Sequence, residues 1–159
     1  MSEAEEIEMV DISWEQFHKD CRILAKKLIE VGTFKKMVAV TRGGLFPAGI
    51  IARELEIRDI DTICIASYDE YAHGSLVQIK PSVIEGDGEG VLIVDDLVDS
   101  GKTLEFIRKK YPKAHYATVY AKEKGLRFVD TYVSMMNCWV LFPWEGVMQP
   151  AKPLISGRK

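Results

Sequence analysis

Behind Ser13, apolar residues recur at steps of three and four. Trp14, Phe17, Cys21, Leu24, Leu28 and Val31 mark one face of a helix of about five turns. Ser13 followed three positions later by Gln16 reads as a capping box that starts this helix. The period then changes. Met37–Thr41 is short, apolar and β-branched, which predicts a buried strand, and Thr41-Arg42-Gly43-Gly44 follows as a tight loop. Pro47 suits the first turn of a second helix, which runs to about Glu56 with Ile50, Ile51 and Leu55 facing inward. Thr62–Ser67 predicts a second strand, Val91–Val94 a third that stops at Asp95-Asp96, His115–Ala121 a fourth and Phe128–Val133 a fifth. Glu85–Gly90 is a polar turn, and Leu104–Tyr111 is a helix. Tyr68–Ser82 offers little to bury and predicts a mobile lid loop. Strands alternating with helices imply an α/β fold, a mainly parallel central sheet flanked by helices, with ligands at the carboxyl ends of the strands.

Length and charge narrow the classes. The 159 residues suit a single domain over 1–159. A hydrophobic fraction of 47% and a net charge of −3 describe an ordinary globular chain with no basic excess for nucleic acid. No apolar run approaches the ~20 residues of a membrane-spanning helix. The acidic Ser2–Glu8 stretch resembles neither a secretory signal nor a transit peptide. Cys21, Cys64 and Cys138 are scattered, as are His18, His73 and His115, so the expectation is a cytoplasmic protein with no disulfide framework and no His/Cys metal site.

The segment from Val91 to Thr103 carries the chemistry. A buried strand delivers Asp95 and Asp96 to its end, and Leu97, Val98, Asp99, Ser100, Gly101, Lys102 and Thr103 follow, leading into a helix. Free backbone N–H groups at a helix start attract phosphate, and Ser100 and Thr103 add donors. Adjacent carboxylates suit ribose hydroxyls and magnesium, a hard cation that prefers oxygen. Gly101-Lys102-Thr103 could close a nucleotide P-loop, but that motif needs glycine where Asp96 stands. Solvated charge at a strand end is the bland alternative for the acid pair.

Four apolar residues, two acids, two spacers, an acid, Ser, Gly, any residue and Thr: this pattern resembles the phosphoribosyl pyrophosphate signature of type I phosphoribosyltransferases. Val40–Leu45, Ala52–Leu55, Ser67-Tyr68-Asp69, Glu85–Gly90, Tyr111–His115 and Ile155–Arg158 extend the similarity, to the bacterial xanthine-guanine branch of that family, over nearly the whole chain after Ser13. The resemblance implies the fold of that family, with a mobile lid and a small base-binding hood beside the sheet. It implies purine salvage on guanine or xanthine, with hypoxanthine used more weakly. A hypoxanthine-guanine enzyme is the nearest alternative, and a phosphoribosyl-pyrophosphate-binding regulator a more distant one. Arg42 and Gly43 would hold the pyrophosphate, and with the loop from Asp95 to Thr103 they would bind phosphoribosyl pyrophosphate. Asp96 would be the magnesium-linked acid, Asp95 its ribose-binding neighbour, and Asp99 the catalytic base beside the purine. Lys122 would donate to the 6-oxo group, Trp139 would stack on the base, and Val140 would reach its edge through the backbone. The alternative for Asp99 is helix capping, for Lys122 an ordinary surface lysine, and for Trp139-Val140 core packing. The resemblance further implies a cis Thr41-Arg42 peptide, a homotetramer and peripheral attachment to the inner membrane.

Three features depart from the family pattern, one of them a stretch between Tyr132 and Trp139 that is two residues shorter than the family's. Tyr71–Ser75 lacks the family's lid arginine, which leaves Lys80 and His73 as stand-ins. Leu141 follows Trp139-Val140 where an acid is expected, a change that would touch the base pocket.

Overall fold

Alternation along the central strands divides the chain into two cores. In β2 (Lys36–Val40), Met37 and Ala39 face one layer while Val38 and Val40 face the other. In β5 (Val91–Val98), Leu92 and Val94 oppose Val91 and Ile93 in the same way. A strand buried on both faces needs cover on both, and the helices supply it. On one side α1 (Trp14–Val31) and α2 (Leu45–Glu54) pack through Phe17, Cys21, Leu24, Leu28 and Ile51. On the other, α3 (Lys102–Lys110) packs through Leu104 and Ile107. The computed structural model describes residues 8–67 and 76–158.

The main sheet has six strands in the order β4-β3-β2-β5-β6-β7, with β3 Ile60–Ser67, β4 Leu76–Lys80, β6 His115–Ala121 and β7 Thr131–Met135. All neighbours are parallel except β3 and β4. Chain order reverses between β2 and β5: from β2 the chain continues outward to β3, and from β5 it continues the other way to β6. In an open parallel sheet, the crevice above such a reversal is where ligands bind. Thr41–Gly44 leaves β2 at that crevice, and the acid pair belongs to β5.

Local chemistry explains where the sequence pattern held and where it slipped. Ser13 caps α1, its hydroxyl accepting the Gln16 N–H at 3.1 Å. The Gln16 side chain does not return the bond; it donates to Asp20, which also accepts the Tyr120 hydroxyl of β6 at 2.6 Å. Only half of the capping box forms, because a buried carboxylate offers the amide a better partner. At either end of the predicted helix face, Trp14 and Val31 are half-exposed.

Strand β5 does not stop at Val94. Pairing with β6 continues through Asp95↔Thr118, Leu97↔Tyr120 and Val98↔Ala121, so the acids sit within a paired strand. The fifth predicted strand begins at Thr131, since Glu123–Phe128 forms a 3-10 helix that turns Phe128 into the core. A third of the predicted lid is strand β4, and Tyr68–Ser75 lies outside the described residues.

Beside the main sheet lies a small hood. In it β1 (Met9–Asp11) pairs in parallel with β8 (Trp139–Leu141), and β9 (Gly146–Val147) pairs with β10 (Gln149–Pro150). Among the described residues, no helix is long and apolar enough to cross a membrane.

Candidate functional site

Two loops meet above the reversal in strand order. The first leaves β2 through a cis Thr41-Arg42 peptide. Gly43 then passes so close to β5 that a Cβ there would overlap the Asp96 carboxylate. A residue without a side chain is therefore required for the loop and the acid pair to touch. Arg42 stays exposed at the rim.

The second loop follows β5. Gly101, at φ +83°, is the N-cap of α3, and the Phe128 ring fills the space a Cβ would need. Two independent constraints thus fix glycine there, one of backbone and one of space. Asp95, Leu97, Val98, Asp99, Ser100, Gly101, Lys102, Thr103 and Leu104 line a cavity of about 150 Å³ at the start of α3. Clefts of about 630 and 510 Å³ open along α2, lined by Gly49, Arg53 and Glu54 among others. They are shallow and hold no strand-end acids, so the smaller cavity is where the chemistry converges.

The acids are arranged under tension. Asp95 accepts the Asp96 N–H at 2.9 Å, and Asp96 accepts the Leu97 N–H at 2.6 Å. Burial pushes the Asp95 carboxyl well above the usual carboxylate range, and the neighbouring Asp96 charge adds to the rise. Burial likewise raises Asp96, with Glu145 contributing from the hood side. Sequence pattern had not singled out Glu145. It lies three residues past Phe142 in an irregular stretch, and only the folded chain turns its charge toward β5.

Beyond the acid pair, Asp99 is exposed and does not cap α3, which has no side-chain cap. Instead its carboxylate lies 3.5 Å from the Lys122 ammonium. Lys122 immediately follows β6, and its N–H donates to the Val98 carbonyl at 2.8 Å, holding the ends of β5 and β6 together. Asn137 then ties the hood to this corner: its side-chain oxygen accepts the Glu123 N–H at 3.0 Å. Two residues on, Trp139 is 51% exposed while Val140 is buried, so one presents a ring and the other can offer only backbone.

Residues 13–152 match the phosphoribosyl transferase domain family. The chain belongs to the phosphoribosyltransferase family. It is 51% identical over 147 residues to the xanthine-guanine phosphoribosyltransferase of Desulfotalea psychrophila, with 91% of each chain covered. It is 47% identical over 150 residues to the protein of that name from Cereibacter sphaeroides, covering 89% of this chain and 90% of that one. The fold superimposes on the crystal structure of purine phosphoribosyltransferase from Pyrococcus horikoshii Ot3 with a TM-score of 0.77 at 30% identity, over 91% of this chain and 99% of that one.

The structure bears on two of the departures from the family pattern. Lys80 cannot stand in for a lid arginine. Its ammonium is bound to Asp61 at 2.9 Å, to the Thr62 carbonyl at 2.8 Å and to the Pro81 carbonyl at 3.2 Å. Asp61 and Thr62 lie at the amino end of β3, ~20 Å along an extended strand from the end that faces the site. His73, the other stand-in, lies outside the described residues. The Leu141 side chain is fully buried in the protein.

The strained acid pair makes a prediction about stability. A carboxyl whose pKa rises on folding contributes most to stability below its unfolded value of 3.8. That contribution is lost as the pH rises through the folded value, so at neutral pH the charge opposes folding. Asp95→Asn keeps an oxygen for the Asp96 N–H and removes the charge. The variant is expected to be more stable than the parent at pH 7 by roughly 1 kcal/mol, or ~2–4 °C in Tm, with the difference closing as the pH falls toward 3.8. Thermal unfolding across that range measures it; a less stable variant at pH 7 would contradict the assignment.

Proposed function

We propose that this phosphoribosyltransferase transfers the 5-phosphoribosyl group of phosphoribosyl pyrophosphate to ring nitrogen 9 of guanine or xanthine, and more weakly hypoxanthine, giving GMP or XMP and pyrophosphate. The observation that carries this is the Asp99–Lys122 pair, 3.5 Å apart beside a phosphate-sized cavity. A 6-oxopurine presents its oxygen and ring nitrogen 7 on one edge. An ammonium donor and a carboxylate acceptor side by side match that edge; adenine, with an amino group in place of the oxygen, would oppose a donor to the lysine. The 51% identity to a xanthine-guanine enzyme supports the same choice.

Each residue then has a task. The cavity amides from Asp99 to Thr103 and the Ser100 and Thr103 hydroxyls bind the 5-phosphate. Arg42 and the backbone at Gly43 hold pyrophosphate. As nitrogen 9 bonds to the anomeric carbon, the bond to pyrophosphate breaks with its electron pair leaving on the phosphate oxygen. The ribose passes through oxocarbenium character, which Asp95 and Asp96 stabilise. The proton on nitrogen 7 passes to Asp99. Trp139 stacks on the purine, and Val140 meets its edge through the backbone.

The acid pair fits magnesium by its chemistry, offering hard oxygens and an uncompensated negative charge. Among the described residues no cluster of three or more potential ligands forms, which suits an ion held by one or two carboxylates and completed by substrate phosphates. Asp96 would hold it, and its charge would neutralise the leaving pyrophosphate. The exposed apolar side chains of Val147, Met148, Leu154 and Ile155 support the homotetramer expected from the family, as surface that subunit contacts would cover.

Pyrophosphate release with guanine, xanthine, hypoxanthine and adenine in turn tests the proposal. Guanine and xanthine are expected to lead and adenine to be inert, and chelation should lower the rate roughly tenfold or more, reversed by added magnesium. Turnover of adenine, or full rates after chelation, would overturn the corresponding part. Hypoxanthine in first place would favour a hypoxanthine-guanine enzyme.

A further inference from the structure

Three aromatic rings form a column between the two halves of the site. Phe46 and Trp144 stack at 4.0 Å and 5°, and Trp144 and Phe142 stack at 4.5 Å and 9°. Phe17 of α1 closes the column edge-on, 5.0 Å from Trp144 at 81° and 6.0 Å from Phe142 at 90°. Each end of the column belongs to a different part of the site. Phe46 lies in the first turn of α2, and its N–H donates to the Gly43 carbonyl at 3.4 Å, within the loop proposed to hold pyrophosphate. Phe142 directly follows β8, the strand that carries Trp139 and Val140. The middle ring belongs to a turn closed by two bonds: the Glu145 N–H donates to the Phe142 carbonyl at 2.9 Å, and the Phe142 N–H donates to the Glu145 carboxylate at 3.1 Å. That same Glu145 bears on Asp96.

We propose that Trp144 is a positioning residue that couples the pyrophosphate loop to the base-binding strand, so that filling one half of the site tightens the other. The inference rests on the functional reading above. Stacked rings at van der Waals contact resist sliding apart, because an interior packed this closely has few intermediate arrangements. A shift of Gly43 toward bound pyrophosphate therefore carries Phe46, and through Trp144 it loads the turn that ends β8. A separate route, from Lys122 through Glu123 to Asn137, joins the base strand to the opposite loop and bypasses Gly43.

The test is the ratio of GMP dissociation constants, measured by calorimetry without and with saturating magnesium pyrophosphate. Direct repulsion between GMP and pyrophosphate is the same in every variant, so a change in the ratio reports the column. Pyrophosphate should tighten GMP binding to the parent, and Trp144→Ala should reduce that effect roughly fivefold or more. Trp144→Phe, which keeps a stacked ring, should retain it. Phe46→Leu keeps apolar bulk on α2 and removes the stack; it should lose the coupling and serves if Trp144→Ala does not fold. An unchanged ratio in either ring-removing variant, with only a lower Tm, makes the column mere packing and overturns the proposal. So does a ratio of one in a parent that binds GMP. A parent that binds no GMP at all overturns the functional reading first, and this inference with it.

Discussion

Asp99→Asn is expected to fold as the parent does and to lose roughly 10²–10⁴ in turnover, the usual contribution of a positioned general base. Two features separate the chemistry from the fold at this residue. Its carboxylate is exposed, and α3 makes no capping bond to it, so stability has little to lose. Among the described residues its one charged partner is Lys122 at 3.5 Å. Asparagine matches the shape of aspartate and can still accept from lysine, but it cannot take a proton from ring nitrogen 7. The loss should fall on kcat, with the KM for guanine moving much less. Unaltered turnover would remove Asp99 from the reaction. A large drop in Tm would mean that the pair with Lys122 supports the fold.

That pair shows what a sequence can and cannot disclose. Asp99 and Lys122 are both readable as single positions, the first from a dense local motif and the second only by family resemblance. Their adjacency depends on register: β5 and β6 pair as far as Val98↔Ala121, and each residue is the next one along. The parallel sheet was legible because its strands are buried on both faces, so continuous apolar runs such as Val91–Val94 stand out. The same rule misplaced the end of β5, since polar residues at a ligand-facing strand end break the apolar run without breaking the ladder.

The hood was the least legible part. Strand β1 is three residues long and β9 two, too short for any period to appear. Their pairing is imposed from outside, by bonds such as Trp139 N–H to the Glu8 carbonyl and Met148 N–H to Asp11. Half of the capping box at Ser13 failed for a similar reason, because a tertiary partner, Asp20, outcompeted the local one. Leu141 is buried along with its neighbours Val140 and Phe142, in a strand too short for its alternation to be read from sequence.

Gly43→Ala is expected to lower kcat/KM for phosphoribosyl pyrophosphate roughly 100-fold, the scale of a displacement of about 1 Å at a reacting centre. Gly43 adopts no left-handed backbone, so alanine is not strained by its own φ. The conflict is purely one of space, a methyl group against the Asp96 carboxylate. That carboxylate is held by the Leu97 N–H at 2.6 Å and has little freedom to retreat. Either the loop lifts and the groups proposed to grip pyrophosphate miss it, or Asp96 swings away and weakens the proposed magnesium site. Titrating magnesium separates the two: a raised metal requirement means Asp96 moved, and an unchanged one means the loop did. Gly49→Ala is the control. It lies in α2, a few residues along the same segment, with nothing within 4 Å of an added Cβ, and exchanging glycine for alanine inside a helix stabilises by ~0.5–1 kcal/mol. The control should therefore keep full activity and melt slightly higher. If Gly43→Ala behaves like Gly49→Ala, the loop after β2 and the acid pair do not need to touch, and the close approach of Gly43 to Asp96 has no part in catalysis.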